Sequence, residues 1–353
     1  MKAQLFTVLA LVLILCPTPA VHANITLDFV SVGDPNNEND TVIASDGSGL
    51  FFGAVSYAYA IGTYEVTLTQ YAAFLNAVAA TDTHGLFNAS MANDPNIAGI
   101  TRAGNEGSYT YSVIGDGQRP VTYVSWFDAA RFTNWLHNGQ PTGLQTAATT
   151  EDGAYALNGA TSGVGISKNA VATYWLPSES EWYKAAYYDP LTGEADAGGT
   201  TDYWLYPTQS DNAPGNIVGA DANQANYFTD QGSNVFSVTQ SGTFDPSQNY
   251  LTPVGAYTSS ASYYGTFDQG GNVWEWNDAV IGSIRGLRGD SWSVGVTTDL
   301  QSSHRGYSDP TYEVDYIGFR VASIPEPSAT LLTGLGSGLL ALCRRTRQDF
   351  RVR

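Results

Sequence analysis

The sequence predicts an α+β fold with little regular secondary structure and long ordered loops. Three observations carry this. Glycine makes up 37 of the 353 residues, which suits turns better than long helices. Only three segments combine a helix start with an apolar face at helical spacing. The strand-like runs are short and are separated by stretches rich in Gly, Asn, Thr and Ala.

In chain order, residues 54–61 read as a strand with Tyr57 and Tyr59 on one face. Thr67 with Gln70 forms a capping box and opens the first helix, whose apolar face is Tyr71, Phe74, Leu75 and Val78. Ser125 with Asp128 opens the second, which turns Phe132, Trp135 and Leu136 inward and stops at Gly139. Ser178 with Glu181 opens the third, with Trp182, Ala185 and Ala186 on one side. Residues 84–119, 139–169 and 189–249 read as loops. Loops of that length are functional or are held by something bound to them. Short strands are expected at 286–292 and 317–322.

The two ends read as processing segments. Residues 1–23 have a charged start at Lys2, an apolar run over 5–15 and a small residue at Ala23, the pattern of a secretory signal. Residues 324–353 open with Ile324-Pro325-Glu326-Pro327, continue with an apolar stretch over 329–343 and end in Arg344, Arg345 and Arg347. The formal charge is −18, from 33 acids and 15 bases. Between the ends, residues 24–323 keep 31 acids and 9 bases, a net charge of 9 − 31 = −22, and no cysteine. An acidic body argues against binding a nucleic-acid backbone, which needs clustered Lys and Arg. Cys16 and Cys343 are the two thiols and both lie in the ends.

Six ordered motifs then appear in the body. They are Tyr64-Glu65-Val66-Thr67, Pro120-Val121-Thr122-Tyr123-Val124-Ser125-Trp126 and Leu176-Pro177-Ser178-Glu179-Ser180-Glu181-Trp182. They continue with Gly270-Gly271-Asn272-Val273-Trp274-Glu275-Trp276, Arg288-Gly289-Asp290-Ser291-Trp292 and Gly318-Phe319-Arg320. In order and spacing the chain resembles the sulfatase-modifying-factor family, whose founding member is the formylglycine-generating enzyme. The resemblance implies a C-type-lectin-related fold, structural calcium and a peptide-binding groove. The tail resembles the PEP-CTERM sorting signal. That implies export and release by exosortase-like sorting machinery to the envelope, surface or matrix of a Gram-negative bacterium, with the membrane touched only transiently.

Two positions depart from the family. Asp290 stands where the family shows the second Gly of Arg-Gly-Gly-Ser-Trp. By position, Val294 and Asp299 stand where the enzyme keeps its copper-binding cysteine pair. Neither supplies a soft thiolate, so copper and formylglycine chemistry are not expected and no catalytic residue is assigned. His84, His137 and His304 are scattered, without the spacing of an iron or zinc site. The resemblance implies calcium at Asn272, Val273 and Glu275, and a second site at Asn226 and Tyr227 with Asp245. Hard oxygen donors of that kind suit calcium. The alternating run Asp34, Asn36, Glu38, Asp40 reads as a solvated loop. Ser291, Trp292, His304, Arg305 and Tyr307 are the candidate ligand-binding residues near the old groove. Aromatic side chains in loops, Tyr203, Trp204, Tyr206, Tyr257, Tyr263, Tyr264 and Tyr307, suit recognition of sugars or proteins as well as anchoring. The function expected is an exported, non-redox module that binds a surface glycan or protein partner. A protein-modifying enzyme of the formylglycine type is the alternative.

Overall fold

The computed structural model describes residues 24–191, 202–229, 232, 234–293 and 296–325. The expected signal, the tail from Glu326 onward and Val294 lie outside the described residues. In chain order the elements are β1 (Phe29–Val32), β2 (Tyr59–Gly62), α1 (Leu68–Val78), α2 (Ser90–Asn93), β3 (Ile100–Ala103), β4 (Thr110–Val113) and α3 (Trp126–His137). Then follow β5 (Tyr174–Trp175), α4 (Glu179–Tyr187), β6 (Trp274–Ile281), β7 (Ile284–Arg288), a 3-10 turn (Thr297–Leu300), β8 (Gly306–Ser308), β9 (Ile317–Phe319) and β10 (Ala322–Ser323).

All three capping boxes start helices. Thr67 Oγ1 accepts from the Gln70 N–H while Gln70 Oε1 accepts from the Thr67 N–H, at 3.3 and 2.9 Å. Ser125 with Asp128 and Ser178 with Glu181 repeat the exchange. Each pair satisfies backbone donors that the first helical turn leaves free. The apolar faces then meet as the spacing requires. Phe74 of α1 lies 5.3 Å from both Phe132 and Trp135 of α3, and Phe132 lies 5.4 Å from Phe319 of β9. α3 ends where Gly139 takes φ +80°, a value that favours glycine.

Two four-stranded sheets frame this core. One has the order β1-β2-β10-β5 and is antiparallel throughout. The other runs β8-β7-β6-β9, with β6 and β9 parallel. β3 and β4 form a separate hairpin. β9 and β10 are consecutive in sequence but join different sheets, so Arg320 and Val321 form the crossover between them.

Several sequence readings need correction. The strand expected over 54–61 begins only at Tyr59. Before it, the chain pairs with the loop at 36–40: Val55 O accepts from Asn36 N–H and Phe52 O from Asp40 N–H, both at 2.9 Å. Tyr57 is 45% exposed while Tyr59 is buried, yet both hydroxyls reach Glu181. The loop expected over 84–119 holds α2 and the β3–β4 hairpin, whose polar composition hid it. The strand expected over 286–292 ends at Arg288, because Gly289 and Asp290 take φ +103° and +63°. The strand at 317–322 is split by the crossover.

The loop over 139–169 is held by buried polar side chains of α3. Asn134 Nδ2 donates to the carbonyls of Thr150 and Tyr155, and Arg131 pairs with Glu151 at 2.7 Å. Buried amides that satisfy loop carbonyls replace the bound ligand that so long a loop would otherwise call for. The Ser125→Ala variant should lose about 1–2 kcal/mol, because both the Asp128 N–H and the Asp128 carboxylate lose a partner. Urea denaturation measures this; an unchanged midpoint would contradict the capping account.

Candidate functional site

The loops after β7 carry the predicted ligand residues, and the structure does not gather them on one face. Ser291 is buried with its Oγ 3.3 Å from that of Ser293. Trp292 is buried too: its ring stacks on Tyr250 at 5.0 Å and its indole N–H donates to Asp315 O. Arg305 is spent on Glu179, which it meets through Nε and Nη2, and on Asp46 at 3.0 Å. Glu179 also accepts from Arg288, so one carboxylate holds two guanidinium groups. These side chains are packing and pairing residues. Tyr307 alone stands out from the surface, 52% exposed on β8.

Asp299 sits in the 3-10 turn and pairs with His304 Nδ1 at 3.2 Å. Burial lowers the His304 pKa, against the pull of Asp299. The His304 ring lies 5.6 Å from that of Trp274. Asp290 is fully buried; its Oδ1 accepts from the Ser291 N–H at 2.7 Å and its Oδ2 has no hydrogen-bond partner among the described residues. Burial, and then the charge of Asp299, raise the Asp290 carboxyl well above the usual range, while the Ser291 N–H opposes them.

The residues expected to hold calcium do not fit it as they are arranged. Glu275 is fully buried, and its two oxygens accept from Arg320 Nε and Nη2 and from the Trp182 indole N–H. A guanidinium already occupies the place a cation would need. Asn272 Oδ1 accepts from Asn226 Nδ2 at 3.0 Å and from Thr252 N–H at 3.2 Å, so its acceptor capacity is spent. Val273 is packed among Ile97, Tyr250 and Trp292. In the second set, Asn226 donates to Tyr250 O while the Asp245 N–H donates to Tyr250 Oη, which puts the two at opposite ends of one tyrosine. Asp245 is exposed and its carboxylate caps Ser247. Tyr227 is buried against Pro214.

Of the acidic run at 34–40, Asp34, Asn36 and Glu38 are exposed as expected, but Asp40 is not. Asp40 is buried and accepts from Tyr183 Oη, Asp34 accepts from Tyr188 Oη, and Lys184 Nζ donates to the carbonyls of Gly33 and Asp34 at 2.7 Å. The run is therefore strapped to α4. Of the loop aromatics, Tyr203, Tyr206 and Tyr257 are buried anchors, and Trp204, Tyr263 and Tyr264 are half-buried. A groove of about 360 Å³ opens beside Pro214, Asn216, Ile217, Gln224 and Gln240. Its amides bond the surrounding backbone: Gln224 Oε1 accepts from Ile217 N–H and Gln240 Nε2 donates to Asn216 O.

Sequence reasoning missed a buried polar cluster between the two sheets. Glu65 Oε1 accepts from Asn272 Nδ2 at 3.1 Å, while its Oε2 has no hydrogen-bond partner among the described residues. Asp268 Oδ2 accepts from Gly255 N–H at 2.6 Å. Burial raises both acids, Glu65 well above its ordinary value and Asp268 to about 6, with Arg320 opposing the rise. The signal available in the sequence was Glu65 inside the first motif; Asp268 stands two residues before the fourth.

With this geometry established, the comparisons identify the class. The chain belongs to the family of sulfatase-modifying factor enzyme 1-like domains, whose model matches residues 54–324. Its α+β, loop-rich fold is the one expected. Similar solved structures include CarF, at 20% identity over 85% of this chain and 99% of that one, with a TM-score of 0.47. Treponema denticola variable protein 1 matches at 21% identity over 84% and 95%, with a TM-score of 0.48. PvdO from Pseudomonas aeruginosa matches at 17% over 84% and 94%, with a TM-score of 0.44. No curated protein matches the chain.

Two predictions follow from the geometry. Because Asn272 and Glu275 are held by protein donors, chelation should leave the melting temperature unchanged and millimolar calcium should not raise it. A calcium-dependent rise that Glu275→Gln abolishes would place the ion there after all. The second concerns pH. Burial is the largest cause that pushes Asp128 and Asp278 up to about 7 and Asp268 up to about 6. From about pH 4 to about pH 7 the folded chain thus keeps protons on these groups that the unfolded chain has released, and stability falls as pH rises through that window. The melting temperature should drop from about pH 5 to about pH 8, and Asp268→Asn should flatten the slope. A melting temperature that climbs over that range would contradict the assignment.

Proposed function

We propose that this protein is an exported binding module without redox chemistry, which docks a cationic protein partner at the cell surface or in the extracellular matrix. The observation that carries the reading is where the charges lie. Of the nine bases in residues 24–323, six are buried: Arg131, Lys184, Arg285, Arg288, Arg305 and Arg320. Nine acids are buried beside them among the described residues, and only three bases, Arg102, Arg119 and Lys168, remain outside against the other acids of the body. A surface of one sign attracts partners of the other and repels polyanions. The absence of cysteine from 24–323 supports the non-redox part, since copper oxidation of a thiol needs soft ligands. The Pro-Glu-Pro tail supports delivery through exosortase-like sorting machinery.

An array that carries cationic peptides and surface polysaccharides tests the proposal. The expected result is saturable binding of cationic peptides that weakens with salt. Saturable binding of glycans alone would replace the protein partner with a sugar. Incubation with copper and a Cys-x-Pro-x-Arg peptide tests the enzymatic alternative. No aldehyde should form, and aldehyde formation would overturn the non-redox reading.

A further inference from the structure

The chain contains five aspartate–proline bonds, after Asp34, Asp94, Asp189, Asp245 and Asp309. Four of them share one arrangement. The aspartate Oδ1 accepts from the backbone N–H two residues on, that of Asn96, Leu191, Ser247 or Thr311, at 2.8 to 3.0 Å. Such a turn ties the carboxylate forward over the proline. Asp34 departs from it. The Asn36 N–H donates to Val55 O instead, at 2.9 Å. Asp34 also takes φ +54°, in the left-handed region, and the other four do not. That region is uncommon for aspartate and holds strain in the backbone.

Helix α4 engages Asp34 in place of the turn. Lys184 Nζ donates to the carbonyl oxygens of Asp34 and Gly33, both at 2.7 Å. Tyr188 Oη donates to Asp34 Oδ2. Asp34 Oδ1 takes no hydrogen bond among the described residues. Lys184 and Tyr188 are buried, whereas Asp34 and Pro35 are exposed to water. Oδ1 and the Asp34 carbonyl carbon belong to one residue and close a five-membered ring when they meet, so the attacking atom needs no further positioning.

We propose that the Asp34–Pro35 bond is a site of self-cleavage, with the Asp34 carboxylate as nucleophile and Lys184 as the group that stabilises the oxyanion. Oδ1 attacks the Asp34 carbonyl carbon, and the new C–O bond leaves the carbonyl oxygen negatively charged beside the Lys184 ammonium. A cation already in place at that oxygen favours the tetrahedral state over the resting carbonyl. The carbonyl then re-forms, the C–N bond to Pro35 breaks, and the proline nitrogen takes a proton from water as it leaves. The product is a cyclic anhydride at Asp34, which one water molecule opens to a C-terminal aspartate. The net reaction is hydrolysis of one peptide bond, and nothing is oxidised or reduced. Departure of the proline also releases the strain at Asp34.

The groups that face this bond set its dependence on pH. They are Lys184 and Tyr188 of α4, Tyr264 beside Gly33, and Asp189 and Asp202 behind the two tyrosines. Burial lowers the Lys184 ammonium to about 8, against the pull of Asp34. Burial and then the bond to Asp34 raise Tyr188, which therefore stays a neutral donor. The lysine loses its charge as pH rises through about 8, so cleavage slows across that value. Both pieces stay seated after the cut, because β1 pairs with β2 along its whole length, from Phe29 against Gly62 to Val32 against Tyr59. The inference does not depend on the proposed partner.

Intact-mass spectrometry of the purified full chain during prolonged incubation tests the site. A fragment that begins at Pro35 should accumulate at least about tenfold faster than a cut at any of the other four aspartate–proline bonds. The preference should vanish in urea, where all five bonds lose their surroundings. The rate should be lower at about pH 9.5 than at about pH 6.5, and it should not depend on protein concentration. Asp34→Ala removes the nucleophile from an exposed position and should stop the cut without unfolding the chain. Lys184→Met should slow it about 100-fold. Lys184 is buried, so the pH profile of the unaltered chain reads the same role where that variant does not fold. A chain that stays intact, equal cleavage at all five bonds, a preference for Pro35 that persists in urea, or a rate that rises with pH or with protein concentration would each overturn the proposal.

Discussion

Arg320 meets Glu275 through two N–H···O bonds of 2.5 and 2.7 Å, with neither side chain exposed. Removing two ions from water costs several kcal/mol each, and their attraction offsets this only when every remaining donor and acceptor is met. Here they are. Arg320 also donates to the carbonyls of Gly62 and Phe267 at 2.9 Å, and Glu275 also accepts from the Trp182 indole at 2.7 Å. The pair therefore joins the end of β2, the turn at 267, α4 and β6. It lies at the crossover from β9 to β10, so it ties one sheet to the other. Loss of either partner would leave a buried charge alone, at about 3–5 kcal/mol. Satisfied networks of this kind rigidify a core that has little regular secondary structure to do so.

Buried ion pairs also fix other loops, although Arg131 Nη1 and Arg285 Nε have no hydrogen-bond partner among the described residues. Arg131 with Glu151 holds the long loop after α3, Arg285 with Asp278 closes the β6–β7 hairpin, and Glu179 at the start of α4 gathers Arg288 and Arg305. Each pair spends a base inside the protein. Each pair withdraws an acid along with its base, so the acidic exterior comes from the composition of the body, 31 acids against nine bases, and not from the pairing. Self-repulsion from that exterior is the cost, and solubility and attraction of cations are its other effects.

The helices were legible because their signals are local. A cap, a partner three residues on and an apolar stripe lie within one segment, and each of the three named helices starts at its cap. The strand β6 was not legible as a strand, since Trp274, Glu275 and Trp276 are all buried and show no alternation. The hairpin β3–β4 was hidden by polar residues that face solvent. Glu275 was read as an oxygen donor to a metal, and only the fold reveals Arg320 as its partner, 45 positions away. Asp40 was read as solvated, and only the fold brings Tyr183 to it across 143 positions. Long-range pairing of charges is the part of a site that residue types at one place do not encode.

Asp290 sets the chemistry of the loop that follows β7. Glycine adopts φ +63° without strain, whereas aspartate there is uncommon and costs on the order of 1 kcal/mol. Its Oδ1 partly offsets this by accepting from the Ser291 N–H, but its other oxygen stays buried without a donor. The substitution therefore places a second acid in the field of Asp299, which itself pairs with His304. Thiol chemistry needs polarizable donors and a lowered proton affinity. Two carboxyls, the proton affinity of one raised by burial, and an imidazole offer hard donors with the opposite tendency. The loop after β7 thus carries hard donors, while the Glu275–Arg320 pair fixes the crossover.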